Sequence, residues 1–159
     1  MLDFDQLVDD YYQPLYRFAL SLAKNEPEAC DLVQQTFALW ARKGHQLRDE
    51  SKVKTWLFTT LRREFLGMVR RSARTSDAPL EEACEEVAGE AGQADAVDAA
   101  TVMEIVSSLP LEYREPLMLF YSRGLSYAEI AEILEIPIGT VMSRLSRGKN
   151  QLRKRISEH

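Results

Sequence analysis

Hydroxyl and basic side chains recur at helical spacing near the end of the chain, in residues 136–159. This segment carries six Lys and Arg residues against one acidic residue, a net charge of +5. A bidentate arginine contact to a guanine edge discriminates between bases by about 1–3 kcal/mol, whereas phosphate contacts carry no sequence information. The spacing therefore predicts a surface for duplex DNA that consists of Thr140, Ser143, Arg144, Arg147 and Lys154, with Arg153 and Arg155 beside Lys154 on the phosphates.

A second basic block lies in residues 41–75, where ten Lys and Arg residues stand against three acidic ones, a net charge of +7. Between the two blocks, residues 76–104 hold nine acidic residues and no basic ones. This distribution favours two polyanion-binding surfaces on one chain. The alternative is that each block is only a solvated helix face. That alternative is weaker here, because both blocks coincide with amphipathic helical patterns.

The elements that position these side chains are predicted to be helices, because apolar residues recur at steps of three and four almost throughout. Residues 76–98 are small and acidic and cannot bury enough apolar area to offset their ordering entropy, so we expect a flexible linker. The predicted fold is all-α, with two small helical domains (1–75 and 99–159) joined by that linker. The helices are expected near 7–22, 27–42, 52–71, 112–121 and 126–134, followed by a longer one from 138 or 139.

The last two helices have the pattern of a helix-turn-helix (HTH). Ser126 is expected to cap the first helix, and Glu135 to Pro137 form the turn, where Glu135 stands at a position that favours glycine. The inward residues are predicted to be Ile130, Ala131 and Leu134 in the first helix and Val141, Leu145, Leu152 and Ile156 in the second. The alternative is an amphipathic helical hairpin with no role in nucleic-acid binding.

In the first half of the chain, Phe37 and Trp40 are predicted to lie in the core, Trp56 is also assigned to the core, and Phe58 to a more exposed side. A helix from Lys52 is expected to turn Val53, Leu57, Leu61 and Met68 inward, with Ser51 as its cap.

Several functional classes are disfavoured by composition. The chain has 159 residues and two cysteines. These cysteines are too few and too far apart for a disulfide scaffold or a zinc site, so we expect the protein to be located in the reducing cytoplasm. Cys30 is predicted to be buried. No apolar run approaches the roughly 18 residues of a membrane span. His45 and His159 lie far apart, and no catalytic constellation appears, so we expect neither an enzyme nor a cofactor.

Three runs together resemble the extracytoplasmic-function (ECF) sigma factors of bacterial RNA polymerase. They are DLVQQTFALW (31–40), KVKTWLFTTLRREFLGMVRR (52–71) and the terminal SLPLEYREPLMLFYSRGLSYAEIAEILEIPIGTVMSRLSRGKNQLRK (108–154). The resemblance covers nearly the whole chain. It implies core RNA polymerase and promoter DNA as partners, an anti-sigma factor as a regulator, and no membrane contact of its own.

The resemblance also assigns residues. It implies that Asp31, Gln34 and Gln35 contact core polymerase, and that the HTH contacts the upstream (−35) element. The loop 45–52 would receive an everted base of the downstream (−10) element. Residues implied on that element are Arg48, Asp49, Glu50, Ser51, Lys52, Lys54, Arg62, Arg63 and Arg70. The acidic linker would occupy the RNA exit path. The competing hypothesis is an HTH regulator that binds duplex DNA as a dimer without polymerase.

Overall fold

The structure is a computed structural model that describes residues 3–75, 102–122 and 124–158. The chain divides into two compact units, Met1–Glu85 and Glu86–His159. Over the described residues the secondary structure is helices and turns without a strand, which confirms the predicted all-α class. The predicted linker, residues 76–98, lies outside the described residues, as does Cys84.

Within residues 3–75, the N-terminal unit has three α-helices that pack against one another: α1 (Phe4–Ala23), α2 (Glu26–Lys43) and α3 (Val53–Thr75). Two short 3₁₀ turns, Gly44–Gln46 and Glu50–Lys52, connect α2 to α3. The core is formed by apolar side chains from all three helices, among them Leu7, Leu15, Phe18, Leu22, Val33, Phe37, Leu57, Phe58 and Leu61. At its centre the rings of Phe18 and Phe58 meet edge to face at 5.7 Å.

Local sequence sets where α1 ends and α2 begins. Lys24 takes the left-handed conformation that stops α1, with φ of 64°. The side chain of Asn25 then accepts a hydrogen bond from the backbone N–H of Glu28 at 2.8 Å, and Pro27 occupies the first turn of α2. An N-cap acceptor and a proline at this position both favour a helix start. The predicted helix over 27–42 is therefore confirmed to within one residue at each end.

Two aromatic assignments in α3 were wrong. Phe58 is fully buried, whereas Trp56 is only half-buried and rests its ring on Trp40 at 5.2 Å. The reason is that α3 packs against both α1 and α2, so its buried arc is wider than a single stripe and reaches Phe58. Met68, predicted inward, is half-buried, and the described side chains of α3 beyond Phe65 are all half-buried or exposed.

Two further predictions in this unit need correction. Cys30 is half-buried, as a free thiol, because its position on α2 lies at the border between the core side and solvent. Ser51 was predicted to cap α3 but lies inside the 3₁₀ turn Glu50–Lys52. The N-cap of that turn is Asp49, whose carboxylate accepts hydrogen bonds from the N–H and the hydroxyl of Ser51. The chain thus makes the 3₁₀ turn Glu50–Lys52 before α3 begins at Val53.

Among the described residues of the C-terminal unit there are four helices: α4 (102–108), α5 (Leu111–Phe120), α6 (Tyr127–Leu134) and α7 (Ile138–Ser157). The helix α7 packs against both α5 and α6. The buried Arg114 donates hydrogen bonds to the carbonyls of Ser107 and Leu109, at 3.2 and 2.9 Å, and so holds the turn between α4 and α5. Gly148 lets α7 approach α5 closely, because a Cβ there would lie 3.1 Å from Leu117.

The HTH pattern is confirmed in its caps and turn. Ser126 and Glu129 form a reciprocal capping box at the start of α6, with bonds of 2.8 and 3.1 Å. Glu135 adopts φ of 59° and ψ of 45°, the left-handed conformation that ends α6. Such a conformation costs a non-glycine residue about 1–2 kcal/mol. The helix α7 begins at Ile138, as expected.

The predicted inward stripes of the HTH are largely confirmed. Buried residues are Ile130 and Leu134 in α6, and Val141, Leu145 and Leu152 in α7, while Ala131 is half-buried. Ile156 was wrongly assigned to the stripe and is 43% exposed. Positions 155 and 156 flank the stripe equally at 100° per residue, and Arg155 takes the inner contact. Its guanidinium donates to the hydroxyl and the carbonyl of Ser108, at 2.7 and 3.2 Å.

Candidate nucleic-acid and polymerase interfaces

The outer surface of α7 presents polar and basic side chains opposite the buried stripe. Ser143 and Arg147 are exposed and point most directly away from the core, since each lies more than about 120° around the helix from its centre. Thr140 and Arg144 are half-buried on one flank. Lys154 is exposed three turns after Ser143. The structure thus places all five predicted residues off the buried stripe, but Arg147 is more outward than Arg144.

The basic run at the end of α7 divides into different environments. Arg153 is exposed and donates to the side-chain oxygen of Asn150 at 2.8 Å. Arg155 is tied to Ser108 by the two hydrogen bonds described above, so it has a structural contact that the sequence pattern did not indicate. Lys154 remains the residue of the three with the most outward position on α7.

The exposed side of α3 carries basic residues in line with an aromatic ring. Trp56, Arg63 and Arg70 are separated by seven residues each, which returns them to nearly the same side of the helix. Arg63 and Arg70 are exposed and Trp56 is half-buried. Lys54 and Arg62 lie half-buried nearer the packed side. The aromatic ring on this surface is therefore that of Trp56. Its spacing of seven residues from Arg63, and of Arg63 from Arg70, is the sequence pattern that indicates a shared side of the helix.

The loop between α2 and α3 is exposed from Arg48 to Lys52, which is the set predicted there: Arg48, Asp49, Glu50, Ser51 and Lys52. The two hydrogen bonds from Ser51 hold the pKa of the Asp49 carboxyl below its usual value, with a smaller contribution from Lys52. The lowered pKa means that Asp49 stays ionised and accepts these hydrogen bonds to a more acidic pH than an isolated aspartate would. A cavity of about 540 Å³ lies between this turn and the start of α1, with Asp3, Asp10, Glu50 and Ser51 in its lining.

The start of the same loop is fixed by a close contact. Gly44 is buried, and a Cβ built on it would lie 2.5 Å from the ring atoms Cδ2 and Cε2 of Trp40. Trp40 in turn packs on Trp56. The loop is thus held at its start by packing of Gly44 on Trp40, and near its end by the hydrogen bonds between Ser51 and Asp49.

The exposed face of α2 contains the three residues assigned to polymerase contacts. Asp31, Gln34 and Gln35 are all exposed, on the side of the helix away from the core. Phe37 and Trp40 are buried and hold the helix to the rest of the unit, as predicted. The geometry leaves these polar groups accessible to a partner.

Neither a metal site nor a membrane span appears in the part of the chain that the structure describes. No three His, Cys, Asp or Glu residues there lie close enough together to hold a metal ion. Among the same residues, no helix combines the length and the apolar character that crossing a membrane requires.

These features define a helical protein with a helix-turn-helix unit and a second unit that carries a basic and aromatic surface. Two family models match it: residues 7–75 match sigma-70 region 2, and residues 99–152 match sigma-70, region 4. The chain is similar to the ECF RNA polymerase sigma factor SigM of Bacillus subtilis, with 33% identity over 94% of this chain and 92% of SigM. It is also 33% identical to SigE of Mycolicibacterium smegmatis over all of this chain, which spans 63% of the length of SigE.

Two solved structures resemble the fold. The sigma factor RpoE in complex with the anti-sigma factor NepR, from Bartonella quintana, matches with a TM-score of 0.83 and 31% identity, covering 98% of this chain and 97% of that one. CnrH in complex with the cytosolic domain of CnrY matches in fold, with a TM-score of 0.67 at 22% identity over 98% and 88% of the two chains. Given the identity to SigM over nearly its full length, the chain belongs to the ECF RNA polymerase sigma factors.

Proposed function

We propose that this protein binds core RNA polymerase, directs it to specific promoters and assists promoter melting, under the control of an anti-sigma factor. The proposal is supported by two surfaces that occur together in one ECF sigma chain. The HTH carries the outward residues Ser143 and Arg147, and the N-terminal unit carries Arg63 and Arg70 in line with Trp56. The protein is an initiation factor and not a catalyst, because phosphodiester formation belongs to the polymerase. It acts in the cytoplasm, where the promoter and polymerase are.

The proposed division of the chain follows the two family matches. Residues 1–75 bind polymerase and the downstream (−10) element, residues 76–98 form an acidic connection that enters the RNA exit path, and residues 99–159 bind the upstream (−35) element. The exposed Asp31, Gln34 and Gln35 on α2 supply hydrogen-bonding contacts to core polymerase. Their accessibility and the buried anchors on the opposite side of α2 support this role.

Melting in this proposal is the capture of unpaired bases by α3 and the preceding loop. Flipping a base out of the duplex costs a few kcal/mol, and stacking on an aromatic side chain returns about 1–3 kcal/mol per base. Trp56 is the aromatic residue with an accessible ring on this surface, which favours it over the buried Phe58. Phosphates are held by Lys52, Lys54, Arg62, Arg63 and Arg70, and the loop residues Arg48, Asp49, Glu50 and Ser51 border the everted base.

Upstream recognition is assigned to α7. Ser143 and Arg147 face the major groove directly, and Thr140 and Arg144 approach it from one flank. Lys154 binds a phosphate farther along the helix. Because phosphate contacts position the protein whereas base contacts specify sequence, the two groups should differ in their dependence on promoter sequence.

The experiment that tests the function is transcription by sigma-free core polymerase on a supercoiled genomic library, with and without this protein, with transcript 5′ ends mapped. We expect added starts that share paired upstream and downstream motifs. A parallel reaction with a known sigma factor shows that the polymerase is competent. If no starts are added while that control works, and the protein alone protects two symmetric half-sites, it is instead a dimeric duplex-binding regulator.

A pair of variants tests the assignment of α7 residues. Arg144→Ala should weaken transcription by a factor that depends on the upstream sequence, because it removes a base contact. Lys154→Ala should weaken all promoters by a similar factor, because it removes a phosphate contact. Both are compared over one panel of upstream variants, and equal, sequence-independent losses for both changes would contradict the assignment.

A further inference from the structure

Two apolar side chains are exposed on the first two turns of α7, at a surface that is otherwise polar. Met142 is 51% exposed and Ile138 is 47% exposed. They are four residues apart, so they lie next to each other on the same side of the helix. Single exposed apolar residues are ordinary on protein surfaces, but this pair stands at the start of the helix that the proposed function places in the major groove.

The pair is continuous with the residues assigned to the promoter. Met142 directly precedes the exposed Ser143 and lies one turn before Ser146, about a right angle around the helix from the buried stripe. In a major groove that receives α7 with Ser143 outermost, Arg147 and Met142 therefore face opposite sides of the groove, at about 40° and 100° from Ser143. The same helix carries the net positive charge of residues 136–159, which complements DNA rather than another apolar protein surface.

The major groove offers one apolar group to such a pair, the 5-methyl group of thymine. Every other edge there presents hydrogen-bond donors or acceptors, which an apolar side chain cannot satisfy. The Met142 side chain is unbranched and flexible, so it can adjust to a methyl group at more than one height in the groove. We propose that Met142, with Ile138 behind it, contacts thymine methyl groups in the upstream element and thereby selects A·T pairs there. This inference rests on the proposed function of α7.

The test uses full-length protein in holoenzyme and a promoter fragment identified by the 5′-end mapping. Each thymine of the upstream element, on either strand, is replaced singly by deoxyuridine, which removes only the methyl group. Burying one methylene-sized group is worth about 0.8 kcal/mol, so we expect roughly fourfold weaker holoenzyme binding at one or two adjacent thymines and no change at the others. Binding is measured by competition against the unmodified fragment.

The assignment to Met142 is tested by substitution. Met142→Ala should bind the thymine and deoxyuridine fragments equally, whereas Ile156→Ala, which shortens another exposed apolar residue of α7, should keep the fourfold difference. Both positions are exposed, so both variants should melt as the unmodified protein does. Three results would each overturn the inference. The upstream element could contain no A·T pairs, the unmodified protein could bind every deoxyuridine fragment as well as the thymine fragment, or Met142→Ala could still discriminate between the two. Failure of the proposed function itself would look different, because holoenzyme would not bind the unmodified promoter.

Discussion

The contact between Gly44 and Trp40 makes a sharp prediction for the substitution Gly44→Ala. Gly44 has ordinary right-handed helical geometry, with φ of −61°, so alanine is allowed there by the backbone. The obstacle is space, because the added Cβ would lie 2.5 Å from Cδ2 and Cε2 and 2.8 Å from Cε3 of the Trp40 ring. Real carbon atoms do not approach this closely, so either the ring or the loop must move.

The cost follows from what surrounds the ring. Trp40 is buried and also packs on Trp56, so it cannot turn away without disturbing that pair. Forcing an extra methyl group into a well-packed site costs about 1–3 kcal/mol. For a unit of this size, each kcal/mol lowers Tm by about 4–8 °C.

The assay uses the two tryptophans of the chain, Trp40 and Trp56, which both lie in the N-terminal unit. Tryptophan fluorescence during urea or thermal unfolding therefore reports on that unit alone. The matched control is Gly67→Ala in α3, where the new Cβ would meet Arg71 at an ordinary 3.5 Å. Alanine should there raise the free energy of unfolding by about 0.5–1 kcal/mol, because glycine is a poor helix residue.

The two substitutions therefore have opposite expected signs although both replace glycine by alanine in helical geometry. If Gly44→Ala were as stable as the unmodified protein, with an unchanged fluorescence spectrum, the argument from close approach would be refuted. If Gly67→Ala were destabilising by a similar amount, the loss at Gly44 could not be assigned to the tryptophan contact.

Substitutions at three other residues test contacts described above. Ser126→Ala removes the capping box of α6 and should lower the stability of the C-terminal unit by about 0.5–2 kcal/mol in circular dichroism melts, whereas Ser126→Asp should retain most of it. Ser51→Ala removes a hydrogen-bond donor to Asp49, so an NMR titration should find the pKa of Asp49 closer to its usual value. In the unmodified protein, the stabilisation from Asp49 is present above its pKa in the unfolded chain and is lost as the pH falls through its pKa in the folded protein. Arg114→Met leaves the carbonyl of Leu109 without this hydrogen-bond donor and should lower the free energy of unfolding by about 1–3 kcal/mol. Amide exchange in the turn after α4 should then be faster, and unchanged exchange would contradict the role of Arg114.

The helices and caps could be predicted because their causes are local. Ser126 acts on a backbone group within three residues, and the left-handed turn at Glu135 follows from the length of the HTH connection. The cap predicted at Ser51 was displaced, because a 3₁₀ turn precedes α3. The α7 surface residues were found for the same reason, since a buried stripe at helical spacing fixes which side chains point away.

Misassignments arose where burial depends on partners distant in sequence. Phe58 is buried because α1 and α2 both cover α3, and the periodicity of one helix carries no record of how many neighbours it has. The close approach of Gly44 to the ring of Trp40 is likewise a packing contact that helical periodicity does not reveal. The contact of Arg155 with Ser108 could not be predicted, because the two residues are 47 positions apart in the sequence.

The bond from Arg155 to Ser108 has a consequence for promoter selection. The helix α7 packs along its length against α5 and α6, and this contact adds a tie between its C-terminal end and the last residue of α4. A substitution at Ser108 would remove that tie while leaving the identity of every DNA-facing side chain unchanged. Substitutions that retune which promoters this sigma factor selects are therefore expected at the junction of α4 and α5 as well as on α7.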